Sequence, residues 1–266
     1  MADEQLAPMK EQVYLDPRPK EHFDQYHART RSGHREPMYS LVRAAVTIYG
    51  LLFFRQSCIS SEKVPLTGPV ILAPNHFSFM DHFFVGSFTR RKVHFMAKSQ
   101  MFSGVPKFIY THGGVFPVRR GHRDDEAFIT AKAVLERGRA MCMYCEGGRS
   151  RTGALAEKAK PGIGRLALET GAPIVPIAIH GSAKVRNWKR LQFPKVVVQY
   201  GDPLVFERID NPTRDQQQQV ADEIFTEIKH LYAGLEQLGR RGVMERIREE
   251  RRALRRAKRS KHTAAA

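Results

Sequence analysis

The chain has 266 residues, 42% of them hydrophobic and 27% charged. That composition is ordinary for a globular protein with a sizeable core and too apolar for a wholly disordered one. Lys and Arg number 44 against 27 Asp and Glu, a net charge of +17, which points to anionic partners: nucleic acid, an anionic membrane surface or phosphorylated substrates.

Residues 1–36 are polar, with scattered Pro, Arg and His and no sustained period, and are expected to form an arm of low order. Residues 38–54, MYSLVRAAVTIYGLLFF, carry Arg43 as their one charge, and Arg55 follows. A spanning helix needs about 20 apolar residues, so a helix lying in the bilayer interface fits better, with a buried core helix as the alternative. Cys58 follows this segment, and the other two cysteines are Cys142 and Cys145. An odd count with no secretory signal at the start suggests a reducing, cytoplasmic setting.

After Lys63 short β-branched runs alternate with helix-compatible stretches. Strands are expected at 70–73, 93–97, 114–118, 140–144, 174–179 and 196–200, and helices at 81–87, 125–137, 163–170 and 214–231. The alternation predicts an α/β fold: a mixed, mostly parallel sheet flanked by helices, preceded by the N-terminal interfacial helical segment. On a strand through 140–144, Cys142 and Cys145 would point to opposite faces, which argues for two unrelated buried thiols rather than a metal or redox pair. From Arg240 to Lys261 eleven Lys/Arg stand against three Glu, a net of +8, in a segment of good helix formers with few apolar residues. The expected divisions are an arm at 1–36, a membrane-interface segment at 37–60, one domain at 61–238 and a basic tail at 239–266.

Candidate chemistry collects at strand ends. In VILAPNHFSFMDHFF (70–84), His76 follows a strand and Asp81 lies five residues on. A neutral imidazole accepts a proton near pH 7, and a carboxylate fixes its tautomer and stabilises the imidazolium. Within one helix this spacing would rotate the two apart, so His76 is expected on the turn leaving the strand and Asp81 one turn into the next helix. Taken alone, the pair reads better as a structural His with a helix-capping Asp. GGVFPVRRG (113–121) places Arg119 and Arg120 at a second strand end, and YCEGGRSRTG (144–153) gathers Glu146, Arg149 and Arg151 around Gly147 and Gly148 at a third. Glycines admit close backbone approach and arginines suit bidentate phosphate contact. Three such clusters at strand ends would form one crevice holding a base and a phosphate clamp. No third ligand stands at metal-site spacing, so no metal is expected.

These blocks resemble the glycerolipid acyltransferases, typified by the 1-acylglycerol-3-phosphate type. N-H-x-S-x-x-D is matched by Asn75, His76, Ser78 and Asp81. The second block is matched by Gly114, Val115, Phe116, Pro117, Val118 and Arg120. The third runs from Tyr144 to Ser150, with Cys145 for the usual proline and Gly148 for the usual threonine. The apolar fourth block is PIVPIAI, centred on Pro176, and Lys98 resembles the family's lysine after the strand that follows block one.

The resemblance covers about residues 64–206. It implies transfer of a fatty acyl group from acyl-CoA or acyl-carrier protein, as co-substrate and with no cofactor, to the hydroxyl of lysophosphatidic acid, giving phosphatidic acid. It implies His76 as general base, Asp81 as its partner, and a phosphate site from Lys98, Arg120, Glu146, Gly147 and Arg149. Asn75, Ser78, Arg119, Gly148 and Arg151 are its more distant members. The enzyme would work at the cytoplasmic face of a membrane, peripheral or monotopic, on an anionic phospholipid surface. The alternatives are another acceptor within the family (glycerol 3-phosphate, another lysophospholipid, a lipid amine or alcohol) and, outside it, a basic nucleic-acid-binding protein.

Overall fold

The protein is represented by a computed structural model that describes residues 6–9, 15–34, 36–120 and 124–264, with side chains as far as residue 257. Seven strands form one sheet: β1 (Ser57–Ile59), β2 (Val70–Pro74), β3 (Val93–Lys98), β4 (Val115–Val118), β5 (Ala140–Cys142), β6 (Ile174–His180) and β7 (Val197–Tyr200). Their order is β1-β7-β6-β2-β5-β3-β4. The five from β6 to β4 run parallel, while β7 pairs antiparallel with β6 and carries β1 with it. Every strand expected from the sequence is present. β5 ends early because the chain turns at Tyr144, whose carbonyl accepts the N–H of Gly147.

The helices are α1 (Asp24–Ser32), α2 (Pro37–Phe54), α3 (Asp81–Phe88), α4 (Gly104–His112), α5 (Asp125–Glu136), α6 (Gly162–Thr170) and α7 (Arg214–Ala264). Alternate residues of β2 feed two cores. Val70 and Leu72 face a cluster with Tyr39 and Phe54 of α2 and Phe84 and Val85 of α3. Ile71 and Ala73 face the one built by α5, α6 and α7. This period-2 division makes a three-layer α/β/α sandwich. Cys142 lies in the first core and Cys145 in the second, both buried and free. The last layer packs closely: a Cβ on Gly164 of α6 would stand 1.9 Å from the Gln217 carbonyl of α7.

Among the strands and helices not expected, three bear on the fold. β1 is only three residues long, and α4 contains Pro106 in its first turn, where the missing N–H is tolerated, together with poor helix formers. The third is a correction. Within the segment expected to be a low-order arm, Lys20–Phe23 forms a 3₁₀ turn that leads into α1, with Phe23, Tyr26 and His27 buried. Helix α1 lies against β4 and α5: the His27 ring is 6.2 Å from that of Phe116, and its Nδ1 is 2.9 Å from Thr130 Oγ1. Too few apolar residues stand at helical spacing to reveal this from sequence; the burial is supplied by partners about 90 to 100 residues away.

The expected basic tail is helical as well. α7 breaks at Gly239 (φ 60°), and beyond it Val243 is buried with Ile59 of β1 and Leu235, while Arg251 pairs with Glu62 at 2.6 Å.

Candidate active site

The parallel strands end on one side of the sheet, and the loops there carry all three polar clusters. His76 leaves β2 on a turn, and Asp81 opens α3. Asp81 Oδ2 accepts His76 Nδ1–H at 2.8 Å and the backbone N–H groups of Phe77 and Ser78 at 2.7 and 2.8 Å. One oxygen thus closes the whole turn around itself. A carboxylate only accepts, so the proton of the neutral ring sits on Nδ1 and the lone pair on Nε2.

The imidazole is buried and stacks on Tyr144, centroids 3.8 Å apart and planes at 17°. Burial lowers its pKa; Asp81 opposes that shift, and the positive charges of Arg120 and Arg149 add to it. The result is a ring held neutral and ready to accept a proton.

The third-block loop grips the same turn. Glu146 Oε2 accepts the His76 N–H at 2.6 Å, Oε1 accepts the Ala156 N–H at 3.1 Å, and the Ser150 N–H donates to the His76 carbonyl at 2.9 Å. Burial pushes the Glu146 carboxyl up to about 7. Its carboxylate is committed to two main-chain donors, so Glu146 shapes the loop beside the groove while the cations are left to face an anion. Gly147 takes a left-handed φ of 67° at the tight turn that follows.

Of the expected cations, Lys98 at the end of β3 lies within the fields of Arg149 and Arg120; burial first and then those charges lower its pKa. Arg120, Arg149 and Lys160 line a groove of about 760 Å³ with Glu146, Gly147 and Gly148. Arg119 turns aside, its Nη2 donating to the Arg18 carbonyl at 3.4 Å, and the Arg151 side chain is exposed to solvent. Asn75 is structural: its amide exchanges two hydrogen bonds with the main chain of Ile179, at 2.7 and 3.2 Å, carrying β2 on beside β6. Ser78 Oγ accepts the Met80 N–H at 3.1 Å and shapes the turn. Among the described residues, no three His, Cys, Asp or Glu side chains gather as a metal site would require.

The acyltransferase family model matches residues 55–180, a span that holds the dyad, the cation loops and the strands beneath them.

The chain is 27% identical over 146 residues to the 1-acyl-sn-glycerol-3-phosphate acyltransferase BAT2, chloroplastic, of Brassica napus, covering 53% of this chain and 41% of that protein. It therefore spans less than half the length of this curated relative. The fold resembles that of the 1-acyl-sn-glycerophosphate (LPA) acyltransferase PlsC from Thermotoga maritima, with a TM-score of 0.55 at 19% identity, covering 79% of this chain and 89% of that one.

Two features of the acyltransferase domain and its surroundings escaped sequence reading. Arg186, beyond the family blocks, donates to the carbonyls of Phe77 (3.2 Å), Arg151 (2.6 Å) and Ser150, tying block one to block three. No local pattern marks it, because each partner is 35 or more residues distant. The second is an apolar cavity of about 400 Å³ between α2, α3, α4 and β3, lined among others by Val46, Phe83, Gly86, Phe95 and Ile109. It reaches His82, the residue after Asp81.

Proposed function

We propose that the protein is a 1-acylglycerol-3-phosphate O-acyltransferase, moving a fatty acyl group from acyl-CoA or acyl-carrier protein to the free hydroxyl of lysophosphatidic acid to give phosphatidic acid. The observation that carries this reading is an imidazole whose Nδ1 is bound by Asp81, on a turn held by Glu146 of the cation-lined groove and followed by His82 of the apolar cavity. His76 Nε2 takes the acceptor hydroxyl proton as the oxygen attacks the thioester carbonyl. The C–S bond breaks, and the imidazolium returns the proton to the departing thiolate. Asp81 stabilises the transient imidazolium, a contribution of the kind that general-base catalysis values at about 10²–10⁴-fold. Arg120, Arg149 and Lys98 hold the acceptor phosphate, and the cavity receives an acyl chain.

Substrate and product are amphiphiles, so the work is done at a bilayer, on its cytoplasmic face. Helix α2 is long and apolar enough by length and composition to cross a membrane, with 17% of its apolar window buried. Leu41 (63%), Leu52 (71%), Val105 (81%) and Phe108 (59%) are exposed on α2 and α4. Both helices also line the cavity, which supports passage of a chain from lipid into the site. Each buried Leu or Phe adds about 1.5–3 kcal/mol to such docking. The anionic surface adds attraction for the +17 chain. Free cysteines suit the reducing side of the membrane.

Thiol release from acyl-CoA, measured across lysophosphatidate, other lysophospholipids and glycerol 3-phosphate, tests the assignment. Turnover is expected to be fastest with lysophosphatidate. Absence of turnover with any of them overturns the assignment.

A further inference from the structure

Two of the three cations assigned to the acceptor phosphate stand at neighbouring strand ends: Lys98 closes β3, whose ladder pairs it with Val118 of β4, and Arg120 lies two residues past that partner. A further brace on the segments just beyond these ends comes from outside the family match. Asp16 is 5% exposed, and its carboxylate accepts Arg18 Nε–H and Nη2–H at 2.9 and 2.7 Å, a bidentate pair. The same guanidinium donates Nη1–H to the Phe102 carbonyl at 2.9 Å and Nη2–H to the Ser99 carbonyl at 2.7 Å. Its underside lies 4.8 Å from the Phe23 ring centroid. The turn from Ser99 to Met101 that it spans begins directly after Lys98. On the other side, the Arg18 carbonyl accepts Arg119 Nη2–H at 3.4 Å, and Arg119 directly precedes Arg120.

We infer that Arg18, locked by Asp16, is a positioning residue for the anion groove, fixing the turn that directly follows Lys98 relative to the Arg119–Arg120 segment beyond β4. Four donor bonds from one planar group leave it a single orientation. The pair is largely enclosed, and the arginine holds the Asp16 carboxyl well below the usual carboxylate range, so the lock stays charged across the physiological range. A lysine in its place reaches one carbonyl and loses the fork. The consequence is acceptor affinity rather than chemistry, because the His76–Asp81 turn is braced separately by Glu146, Ser150 and Arg186.

This inference rests on the phosphate reading of the groove given above. The test uses the full chain as wild type, Arg18→Ala, Arg18→Lys and Asp16→Asn, each checked for a native circular dichroism spectrum and melting transition. KM for lysophosphatidate is expected to rise about tenfold in Arg18→Ala, the equivalent of roughly 1.4 kcal/mol of acceptor binding. A smaller rise is expected in Arg18→Lys and Asp16→Asn, with kcat at saturation changed little in all three. Should Arg18→Ala fail to fold, the other two carry the same expectation. An unchanged KM, or a fall in kcat with KM unaltered, overturns the inference.

Calorimetric titration with glycerol 3-phosphate separates this result from the acyl-transfer assignment. If the wild type turns over no acceptor, the assignment falls. The positioning role is then judged on affinity for glycerol 3-phosphate alone: about tenfold weaker binding in Arg18→Ala supports it, and equal binding overturns it.

Discussion

Glu146 holds His76 by its main chain: Oε2 accepts the His76 N–H at 2.6 Å, so the residue supplying the imidazole is fixed at both its side chain and its backbone. The carboxyl has a raised pKa, about 7 against 4.5 for an unburied group. The folded state therefore favours the protonated form. That contribution to stability is fully present below pH 4.5 and is lost as pH rises through about 7. Glu146→Gln has no such titration. Between these limits the melting temperature of the variant, followed by calorimetry, is expected to gain on that of the wild type as pH rises. Glu146→Ala leaves two backbone donors unpaired and is expected to cost about 1–3 kcal/mol for each one that water does not reach.

Asp81 sets the tautomer of His76, so Asp81→Asn is expected to lower kcat by about 10³–10⁴ with little change in KM, and His76→Ala by a similar factor. Steady-state thiol release decides. Near-normal turnover in either variant is incompatible with general-base catalysis by this pair.

Burial depresses the His76 pKa against the opposing pull of Asp81, and the positive charges of Arg120 and Arg149 add to the lowering. Protonation disables the base, so the acid limb of kcat should lie below the ordinary imidazole range. Removing one charge with Arg149→Met eases protonation and moves the limb to higher pH. A pH–rate profile at saturating lysophosphatidate measures the shift.

How much of this was legible in the sequence follows from the range of each interaction. Six strands and the sheet class could be read because the alternation of β-branched runs and turns is local. The His76–Asp81 pairing could be read because five residues span one turn. Arg186 could not be read, since its three carbonyl partners lie on two distant loops. Asn75 and Glu146 sit in family blocks, and only the backbone positions of Ile179, His76 and Ala156 show that they hold the frame rather than touch substrate. Arg18 and Asp16 looked like charges in a polar arm because the turns they lock are more than 80 residues further on.

Gly86 lines the apolar cavity, and a Cβ there would meet only Tyr39 Oη and Phe95 Cζ, at 3.8 and 3.9 Å. Gly86→Ala is therefore expected to fold and act normally. Gly86→Leu fills the space and is expected to shift preference toward shorter acyl chains. Rates across an acyl-CoA length series report the change. An unaltered length profile in the Leu variant places the acyl chain elsewhere.

Leu52, Val105 and Phe108 are among the most exposed apolar side chains of α2 and α4. Replacing all three by Ser is expected to weaken binding to anionic phospholipid vesicles by tenfold or more, since each removes at least about 1.5 kcal/mol of burial if fully inserted. Vesicle flotation of the triple variant against wild type gives the ratio.

The packing of α1 on β4 and of the second half of α7 on β1 has a practical outcome. Both outer strands of the sheet are shielded by segments that lie beyond residues 55–180. A fragment cut to the family match would also lose β7 and expose backbone ladders to one another, inviting self-association. The unit that keeps both outer strands packed is thus longer than the span the family model matches, and truncations should keep Asp16 at one end and Ile247 at the other.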